Sequence, residues 1–305
     1  MKRVVSISLG SSRRNHKAEV EFQGSKFSVE RIGTNGDMAA MIAMIRELDG
    51  KVEAFGLGGI DLQIGTPIHR YTFRDGKKIV AAAKKTPIVD GSGLKDTLER
   101  MAIDYLANQL GWDFHGKLAL LTSAMDRWGM AEALVQTGCS LQIGDLIFAL
   151  GLPIPLNKLS TLDKVARVLG PVAVRLPFKV LYPTGQTQDS SDGKFGRYFA
   201  GKDIIAGDFN YIYKHMPMDM EGQIVITNTV TPSDVVELRR RGVRTLVTTT
   251  PVLNGRSFGT NAMEALLVAY AQAGAALSRE EYCRLLQELD FIPRVEHLQE
   301  QEGLV

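Results

Sequence analysis

The sequence predicts an α/β fold made of two domains. The chain has 305 residues, 45% of them hydrophobic and 23% charged, so it can bury a large core without a disulfide or a metal. Apolar segments with strand character alternate with segments of helical periodicity along most of the chain. A break at Asp90-Gly91-Ser92-Gly93 separates the two regions in which this alternation occurs.

The first 92 residues are predicted to form an N-terminal α/β domain. Three segments rich in Val, Ile and Phe predict a small β-meander at residues 3–9, 17–22 and 26–32. Apolar residues at helical spacing then predict a helix over residues 38–48, which Gly50 ends. A strand at 52–55, a helix at 75–85 and a short strand at 87–89 complete the pattern.

Residues 93–275 are predicted to form a second, Rossmann-like domain with a parallel sheet. From Leu118 onward, helices alternate with strands predicted at 118–122, 140–143, 203–206, 223–227 and 244–248. Such alternation favours parallel βαβ units, whose ligands bind at the carboxyl ends of the strands. A proline-rich stretch at about 150–200 is interpreted as an insertion, and residues 276–305 as a C-terminal helix and tail.

Charge and cysteine content narrow the class of protein. Lys and Arg number 36 and Asp and Glu 34, a formal charge of +2, which gives no bulk attraction to nucleic acid or anionic lipid. Cys139 and Cys283 are far apart, and the histidines share no ligand spacing, so we expect free thiols and no metal site. We therefore expect a cytoplasmic protein with a small-molecule partner and neither nucleic acid nor membrane as partner; homo-oligomerisation stays open.

The segment from Thr122 to Gly129 is the candidate nucleotide site. It follows the first strand of the second domain and opens a helix, so its backbone N–H groups could hold a pyrophosphate. Side chains stand where a dinucleotide fingerprint has glycines, and hydroxyl and guanidinium donors could compensate. The candidate cofactor-binding residues here are Thr122, Ser123, Ala124, Arg127 and Gly129.

Acidic and amide side chains at later strand ends extend this site. Asp145 lies about 20 residues further on, where a carboxylate can accept hydrogen bonds from a ribose diol and repel a 2′-phosphate. This favours NAD as the cofactor, with NADP as the alternative. Asp208, Thr227 and Asn228 end two further strands and would border the nicotinamide. The alternative interpretation is that the Thr122 and Ser123 hydroxyls cap a helix and Asp145 is a turn residue.

The run Asp90-Gly91-Ser92-Gly93-Leu94, followed by the strand that Gly116-Lys117 leads, resembles the shikimate/quinate 5-dehydrogenase family. That family has an Asp-Gly-x-Gly-Phe turn before its interdomain helix, and the resemblance covers roughly a third of the chain. The resemblance implies an oxidoreductase that transfers a hydride between NAD(P) and a hydroxylated cyclic acid bound between the domains. It also implies that Asp90 contacts a substrate hydroxyl and pairs with a lysine that moves the proton.

The catalytic lysine that the resemblance implies has no clear counterpart here. The family's Asn-Val-Thr-x-Pro-x-Lys segment is not matched between Gly56 and Pro67. Lys84 and Lys85 are the nearest candidates, and burial beside Asp90 could tune either of them for acid/base work. The alternative is that both are solvated residues at a helix end.

Two arginine-containing segments are candidate anion sites. The run Gly10-Ser11-Ser12-Arg13-Arg14-Asn15-His16 resembles the serine pair by which the family holds the substrate carboxylate, although a strand is predicted to follow it. Hydroxyls beside arginines also suit a carboxylate or phosphate on general grounds, which makes Ser11, Ser12 and Arg13 candidate substrate ligands. Arg256 is a second candidate anion clamp. The alternative for the first segment is a charged hairpin loop.

Two other functions compete with the oxidoreductase. A non-catalytic protein could use the same two-domain cleft to sense a nucleotide or a small acid, as the altered glycine motif and the missing lysine motif suggest. A reductase of acyl thioesters could work through Cys139, although that residue enters a predicted strand and is more typical of a core position.

Overall fold

The computed structural model describes residues 1–176, 193–250 and 252–299, apart from residues 254, 255 and 258. The predicted α/β class is confirmed, and the chain divides into two compact units. Unit 1 contains Met1–Thr97, Asp163–Asp189 and Leu253–Phe291, and unit 2 contains Leu98–Leu162, Ser190–Val252 and Ile292–Val305. These limits differ from the predicted boundaries, because the chain returns to unit 1 twice after Thr97.

The strands are numbered in chain order. They are β1 (Lys2–Ser8), β2 (His16–Phe22), β3 (Ser25–Gly33), β4 (Ala54–Gly58), β5 (Gln63–Gly65), β6 (Arg70–Thr72), β7 (Ile88–Val89), β8 (Leu118–Leu121), β9 (Ser140–Ile143), β10 (Ile204–Gly207), β11 (Ile224–Thr227), β12 (Thr245–Thr248), β13 (Val252–Leu253), β14 (Arg256–Ser257) and β15 (Arg294–His297).

The helices are numbered in the same way. They are α1 (Met38–Leu48), α2 (Arg74–Val80), α3 (Ser92–Asp104), α4 (Trp128–Gln136), α5 (Asp145–Phe148), α6 (Leu159–Ala173), α7 (Phe209–His215), α8 (Pro232–Arg240), α9 (Thr260–Ala271) and α10 (Arg279–Glu288). Among the residues that the structure describes, no helix is both long and apolar enough to cross a membrane.

Unit 1 has a five-stranded sheet in the order β2-β3-β1-β4-β7. The last four strands of that order are parallel, and β2 runs antiparallel at the edge. The predicted β-meander was therefore wrong, since β1 pairs in parallel with β3, placing Val4 opposite Val29, and does not pair with β2. The physical reason is that β1 is buried on both faces from Val4 to Ser8, as suits a central strand.

Helix α9 covers the centre of the unit 1 sheet. It contacts β1, β3 and β4, and it packs so closely that a Cβ atom on Gly56 would lie 2.5 Å from the Asn261 carbonyl oxygen. Residues 253–291, predicted to lie in the second domain and the C-terminal segment, thus belong to unit 1. Phe55 and Leu57 of β4 share a buried hydrophobic core with Met41 and Ile45 of α1.

Part of the predicted insertion also packs in unit 1. The Asp163 carboxylate at the start of α6 accepts hydrogen bonds from the Thr66 hydroxyl at 2.5 Å and contacts the His69 ring nitrogen Nδ1 at 3.1 Å. The insertion is therefore attached to the β5–β6 hairpin through α6. Its residues 177–192 lie outside the described part of the chain.

Unit 2 has a six-stranded sheet in the order β15-β12-β11-β10-β8-β9. All its strands are parallel except β15, which pairs antiparallel with β12. The five strands predicted from the alternating pattern all form, and four of them have a fully buried central residue, namely Leu120, Ile205, Val225 and Leu246. Helix α8 begins with a complete capping box at Thr231, and α10 begins with one at Ser278.

Both sheets contain a topological switch point. In unit 1 the chain leaves β1 toward β3 on one side and later returns to β4 on the other side; in unit 2 it leaves β8 toward β9 and returns to β10. Ligands of open α/β sheets bind outside the carboxyl ends of the strands at such a point. We call the edge at which the parallel strands end the carboxyl edge of each unit.

Candidate functional site

The carboxyl edge of unit 2 contains the residues predicted to hold the cofactor. The loop after β8, residues 122–127, is called here the β8 loop and leads into α4. Asp145 follows β9, Asp208 follows β10, and Thr227 and Asn228 end β11. Since these strands are parallel neighbours, their ends meet at one edge, as the sequence predicted.

Asp145 bonds to the β8 loop itself. Its two carboxylate oxygens accept hydrogen bonds from the backbone N–H groups of Ala124 and Met125, each at 2.8 Å. The side chain is 7% exposed, and burial raises the pKa of this carboxyl to about 6, against the lowering effect of the two amides. The prediction that Asp145 binds a ribose diol therefore needs correction, because both carboxylate oxygens are engaged inside the protein.

The Arg127 guanidinium is also bonded within the protein. It is 2% exposed and forms ion pairs with Glu99 and with Asp208, the latter at 3.0 Å. Asp126 lies 3.8 Å from its Nε atom. The predicted role of Arg127 as a donor to a phosphate is corrected accordingly, since its charge is already balanced by buried and half-buried carboxylates.

A hydrogen-bond network joins the remaining strand ends. The Asn228 side-chain amide donates to Asp208 at 2.9 Å, and the Thr227 hydroxyl donates to the Gly207 carbonyl at 2.8 Å. The Thr250 hydroxyl donates to the Asn228 carbonyl at 2.7 Å. Such mutual bonding holds the strand ends in one arrangement.

Two buried hydroxyls in the β8 loop have no partner. Thr122 Oγ1 and Ser123 Oγ are buried without a hydrogen bond to any described residue. Gly129 lies within the first turn of α4 and supplies no side chain. Of the predicted cofactor residues after β8, Thr122 and Ser123 thus retain unused hydrogen-bonding capacity.

These contacts decide whether a dinucleotide fits the β8 loop. Two of the amides that would receive a diphosphate are bonded to Asp145. Around the loop stand four carboxylates and one guanidinium, namely Glu99, Asp126, Asp145, Asp208 and Arg127. Because a diphosphate brings more negative charge to an already acidic site, the residues present do not fit a dinucleotide at this loop.

The carboxyl edge of unit 1 carries several basic side chains. The loop after β1, residues 9–15, is called here the β1 loop and contains Ser11, Ser12 and Arg13. Ser11 is buried and its hydroxyl caps a short turn by accepting from the Arg13 N–H. Ser12 bonds to Asn35, while the Arg13 side chain is exposed. As predicted, a strand follows this loop, which leaves its arginines at the edge.

Arg31 is a site residue that the sequence analysis missed. It lies on β3, beside the end of β1, and donates to the Ser11 carbonyl and to Ser8 Oγ, each at 3.1 Å. No carboxylate in the described part of the chain pairs with it. Burial, together with the charge of Arg14, lowers the pKa of Arg31 to about 10. Its position near the carboxyl end of a predicted strand was the signal that could have found it.

A buried ion pair lies at the ends of β4 and β7 in the same unit. Lys95 Nζ is 3.2 Å from Asp61 Oδ1, and the two side chains are 9% and 12% exposed. Asp90, which ends β7, accepts from the Leu62 N–H at 2.6 Å and from Ser92 through its N–H and its hydroxyl. The edge therefore brings Asp90 close to an acid and a lysine that the sequence analysis did not select.

Lys84 and Lys85 do not lie beside Asp90. Both side chains are exposed, and their backbone N–H groups bind Asp49. They precede the amino end of β7, whereas Asp90 follows its carboxyl end. The prediction that burial beside Asp90 tunes one of them is therefore wrong, and Lys95 on α3 is the buried lysine of this edge.

Glu264 of α9 fixes the segment that carries Asp90 and Lys95. Its carboxylate accepts from the N–H groups of Gly91 and Leu94, at 2.6 and 3.2 Å, and from the Tyr282 hydroxyl at 2.5 Å. Burial raises the pKa of Glu264 to about 7. This carboxylate thus holds the N-terminal turn of α3 in place.

Two other predicted candidates contribute little to the site. Arg256 lies on β14, but its side chain is outside the described part of the structure. The Cys139 thiol is buried and donates to the Lys117 carbonyl at 3.1 Å. Burial raises the pKa of this thiol to about 11, which keeps it protonated at neutral pH and unsuited to act as a nucleophile.

The fold and the two edges define a protein of two α/β units, each with a switch point. A family model described as a domain of unknown function (DUF8754) matches residues 93–298, and the chain belongs to this family. A second model, described as a domain of unknown function (DUF8753), matches residues 3–90. No curated protein matches the sequence.

Solved structures of two kinds are similar to this chain. A solute-binding protein of an ABC transporter from Burkholderia multivorans is 15% identical, with a TM-score of 0.39 and coverage of 88% of this chain and 92% of that chain. L-tryptophan dehydrogenase from Nostoc punctiforme is 12% identical, with a TM-score of 0.38 and coverage of 95% and 79%. Malic enzyme from Entamoeba histolytica is 13% identical, with a TM-score of 0.40 and coverage of 93% and 61%. They include binding proteins and enzymes, and they establish no specific function.

Proposed function

We propose that this protein binds a small hydroxylated carboxylic acid at the carboxyl edge of unit 1. The observation that carries the proposal is Arg31, a half-buried guanidinium that no described carboxylate neutralises. Removing a cation from water without a counter-ion costs free energy, and a ligand that supplies the missing negative charge would offset that cost.

The surroundings of Arg31 suit a carboxylate ligand. Arg13 and Arg14 of the β1 loop add positive charge, and Arg14 is near enough to lower the pKa of Arg31. Guanidinium groups bind carboxylates through paired N–H donors with matching geometry. Repulsion among the arginines in the free protein would be relieved when an acid binds, which adds to the affinity.

The Asp61–Lys95 pair supplies the second half of the binding site. A buried ion pair offers both an acceptor and donors, which is what ligand hydroxyl groups need. Together with the arginines, it favours a ligand that carries hydroxyls and a carboxylate over a simple carboxylate or a neutral sugar.

The test is calorimetric titration of the purified protein with quinate and shikimate, with myo-inositol as a hydroxylated ring that lacks a carboxylate. We expect binding of at least one of the two acids and none of myo-inositol. Arg31→Gln should weaken that binding about 10- to 100-fold, the value of a hydrogen bond to a charged group.

Arg46→Gln is the matched control, since Arg46 is an exposed arginine in the last turn of α1. It should leave the affinity unchanged. Equal binding of myo-inositol and the acids, or equal loss in both variants, would contradict the proposal.

A second candidate is a shikimate/quinate-type oxidoreductase, which the Asp61–Lys95 pair specifically favours. In this pair a carboxylate that can accept a proton from a substrate hydroxyl stands beside an ammonium that can donate one back. Asp90, the residue that the resemblance assigns to substrate contact, lies at the same edge. Against this candidate stands the β8 loop, whose amides are already bonded to Asp145.

Titration with NAD and NADP, followed by assays of quinate and shikimate oxidation, separates the two candidates. An oxidoreductase should turn over, and Lys95→Met should abolish its activity, whereas Lys84→Met should leave it intact. If neither dinucleotide binds at millimolar concentration, the oxidoreductase is excluded and acid binding alone remains.

A further inference from the structure

We propose that the β8 loop of unit 2 is an anion site whose resident anion is the protein's own Asp145 carboxylate. The carboxylate takes the place that a ligand phosphate would occupy on the loop amides, so unit 2 excludes nucleotide phosphates from its switch point. The proposal does not depend on the acid-binding function of unit 1.

The geometry is that of an anion bound by backbone amides. The two oxygens of Asp145 each accept one N–H group, from consecutive residues Ala124 and Met125, at 2.8 Å. Consecutive N–H groups that point to one anion form a cradle of the kind that binds phosphates and carboxylates in proteins. The position of the cradle, directly after β8 at the switch point, is where α/β sheets bind ligands.

Burial supports the interpretation that the cradle is filled from within. Asp145 is 7% exposed, and the two loop amides lower its pKa against the rise that burial causes, so they favour the ionised carboxylate. A carboxylate that follows a strand but has no partner in the loop would be expected to face water. Here it is kept away from water and is satisfied by the loop amides.

One further feature suggests that the loop can hold a bound group, and a second explains why no outside anion is attracted to it. Thr122 Oγ1 and Ser123 Oγ, in the same loop, are buried without a partner among the described residues. Arg127, the nearby cation, is committed to Glu99 and Asp208 and so does not attract a second anion. The internal carboxylate is thus the anion that the loop retains.

The first experiment is chemical rescue of Asp145→Gly. Removal of the side chain empties the cradle, and added formate, a small carboxylate, should then bind there. We expect formate to raise the Tm of this variant by several degrees relative to equal chloride, and to leave the wild type unchanged.

Asp126→Asn is the matched control. It removes one negative charge from the same loop but leaves the amides of Ala124 and Met125 bonded to Asp145. Formate should not stabilise it. Equal stabilisation of both variants by formate would overturn the proposal, because a general relief of charge would then explain the result.

Amide hydrogen exchange tests the same contact if Asp145→Gly fails to fold. In the wild type, the N–H groups of Ala124 and Met125 should exchange slowly. Asp145→Asn, which keeps one acceptor oxygen but no charge, should speed exchange at one or both of them and leave exchange in β9 unchanged.

Titration of the wild type with NAD and ADP completes the test. We expect no shift of the Ala124 and Met125 amide resonances. A shift of both resonances at micromolar dinucleotide would overturn the proposal, since a ligand phosphate would then have displaced Asp145. Fast exchange of both amides in the wild type would overturn it as well.

Discussion

Glu264 and Asp145 are carboxylates whose burial opposes ionisation. Burial raises the pKa of Glu264 to about 7 and that of Asp145 to about 6, so each binds a proton more tightly in the folded chain than in the unfolded one. The stability that each contributes through this proton is therefore complete at acidic pH. It is lost as the pH rises through the folded-state value.

We expect the free energy of unfolding to fall between pH 5 and pH 8, by on the order of 1–3 kcal/mol for each of these groups. Urea unfolding at the two pH values measures it, with Glu264→Gln as the variant that removes one titrating group. The variant should show a smaller fall than the wild type. An equal fall in both would mean that Glu264 is ionised in the folded chain throughout this range.

Two acidic groups whose pKa is lowered in the folded chain do not mask the fall in the free energy of unfolding between pH 5 and pH 8. Hydrogen bonds from backbone N–H groups lower the pKa of Asp49 to about 2, and hydrogen bonds from Arg240 and Arg241 lower that of Glu237 to about 2. Both groups therefore stay ionised from pH 5 to pH 8 and affect stability only in stronger acid.

At the scale of elements, the contact between α9 and β4 organises unit 1. The backbone of Asn261 approaches Gly56 so closely that no side chain fits between them, and Asn261 also donates to Ser6 of β1 at 2.6 Å. The same helix carries Glu264, which holds the start of α3. One helix thus links the sheet to the segment that bears Asp90 and Lys95.

Gly56→Ala should destabilise the protein by about 3 kcal/mol, because the new Cβ would lie 2.5 Å from a backbone oxygen that cannot rotate away. Gly274→Ala is the control, since no atom lies within 4 Å of its Cβ position and its backbone conformation suits alanine. It should be neutral or slightly stabilising. Denaturant midpoints of the two variants measure the difference. Equal midpoints would show that α9 can move away from β4 without loss of stability.

Local patterns predicted elements well and pairings poorly. The five strands of unit 2 formed within a residue or two of their predicted limits, because period and apolar content are properties of a short segment. The β-meander failed, since whether β1 pairs with β2 or β3 depends on burial of the whole sheet. The assignment of α9 to the second domain failed for the same reason, as its partners are about 200 residues away in the chain.

At the scale of the whole molecule, the two units have the same kind of switch point but differ in the charged groups that surround it. Unit 1 gathers Arg13, Arg14 and Arg31 at its edge, whereas the edge of unit 2 gathers carboxylates around Arg127. The formal charge of +2 conceals this separation. Acidic ligands are therefore expected at unit 1, and the overall composition gives no indication of which unit receives them.

The candidate site was predicted in part. Asp145, Asp208 and Asn228 were placed at the correct edge, because residues that follow parallel strands share an edge. Their roles were not predictable, since Asp145 can bind either a ribose or a nearby amide, and only the folded loop decides between them. Arg31, Asp61 and Lys95 were missed because none of them is a position of a motif, and the role of each depends on residues that only the fold brings beside it.

The sequence by itself determined the α/β class, the parallel strands of unit 2 and the edges at which polar groups collect, because these follow from periodicity and strand direction. The tertiary structure alone decided which buried charges are neutralised from within. In unit 2 the Asp145 carboxylate and the Arg127 guanidinium find partners inside the fold, while in unit 1 Arg31 finds no described carboxylate. Pairing of charges depends on distances of a few ångströms between residues far apart in the chain, and no local pattern records those distances.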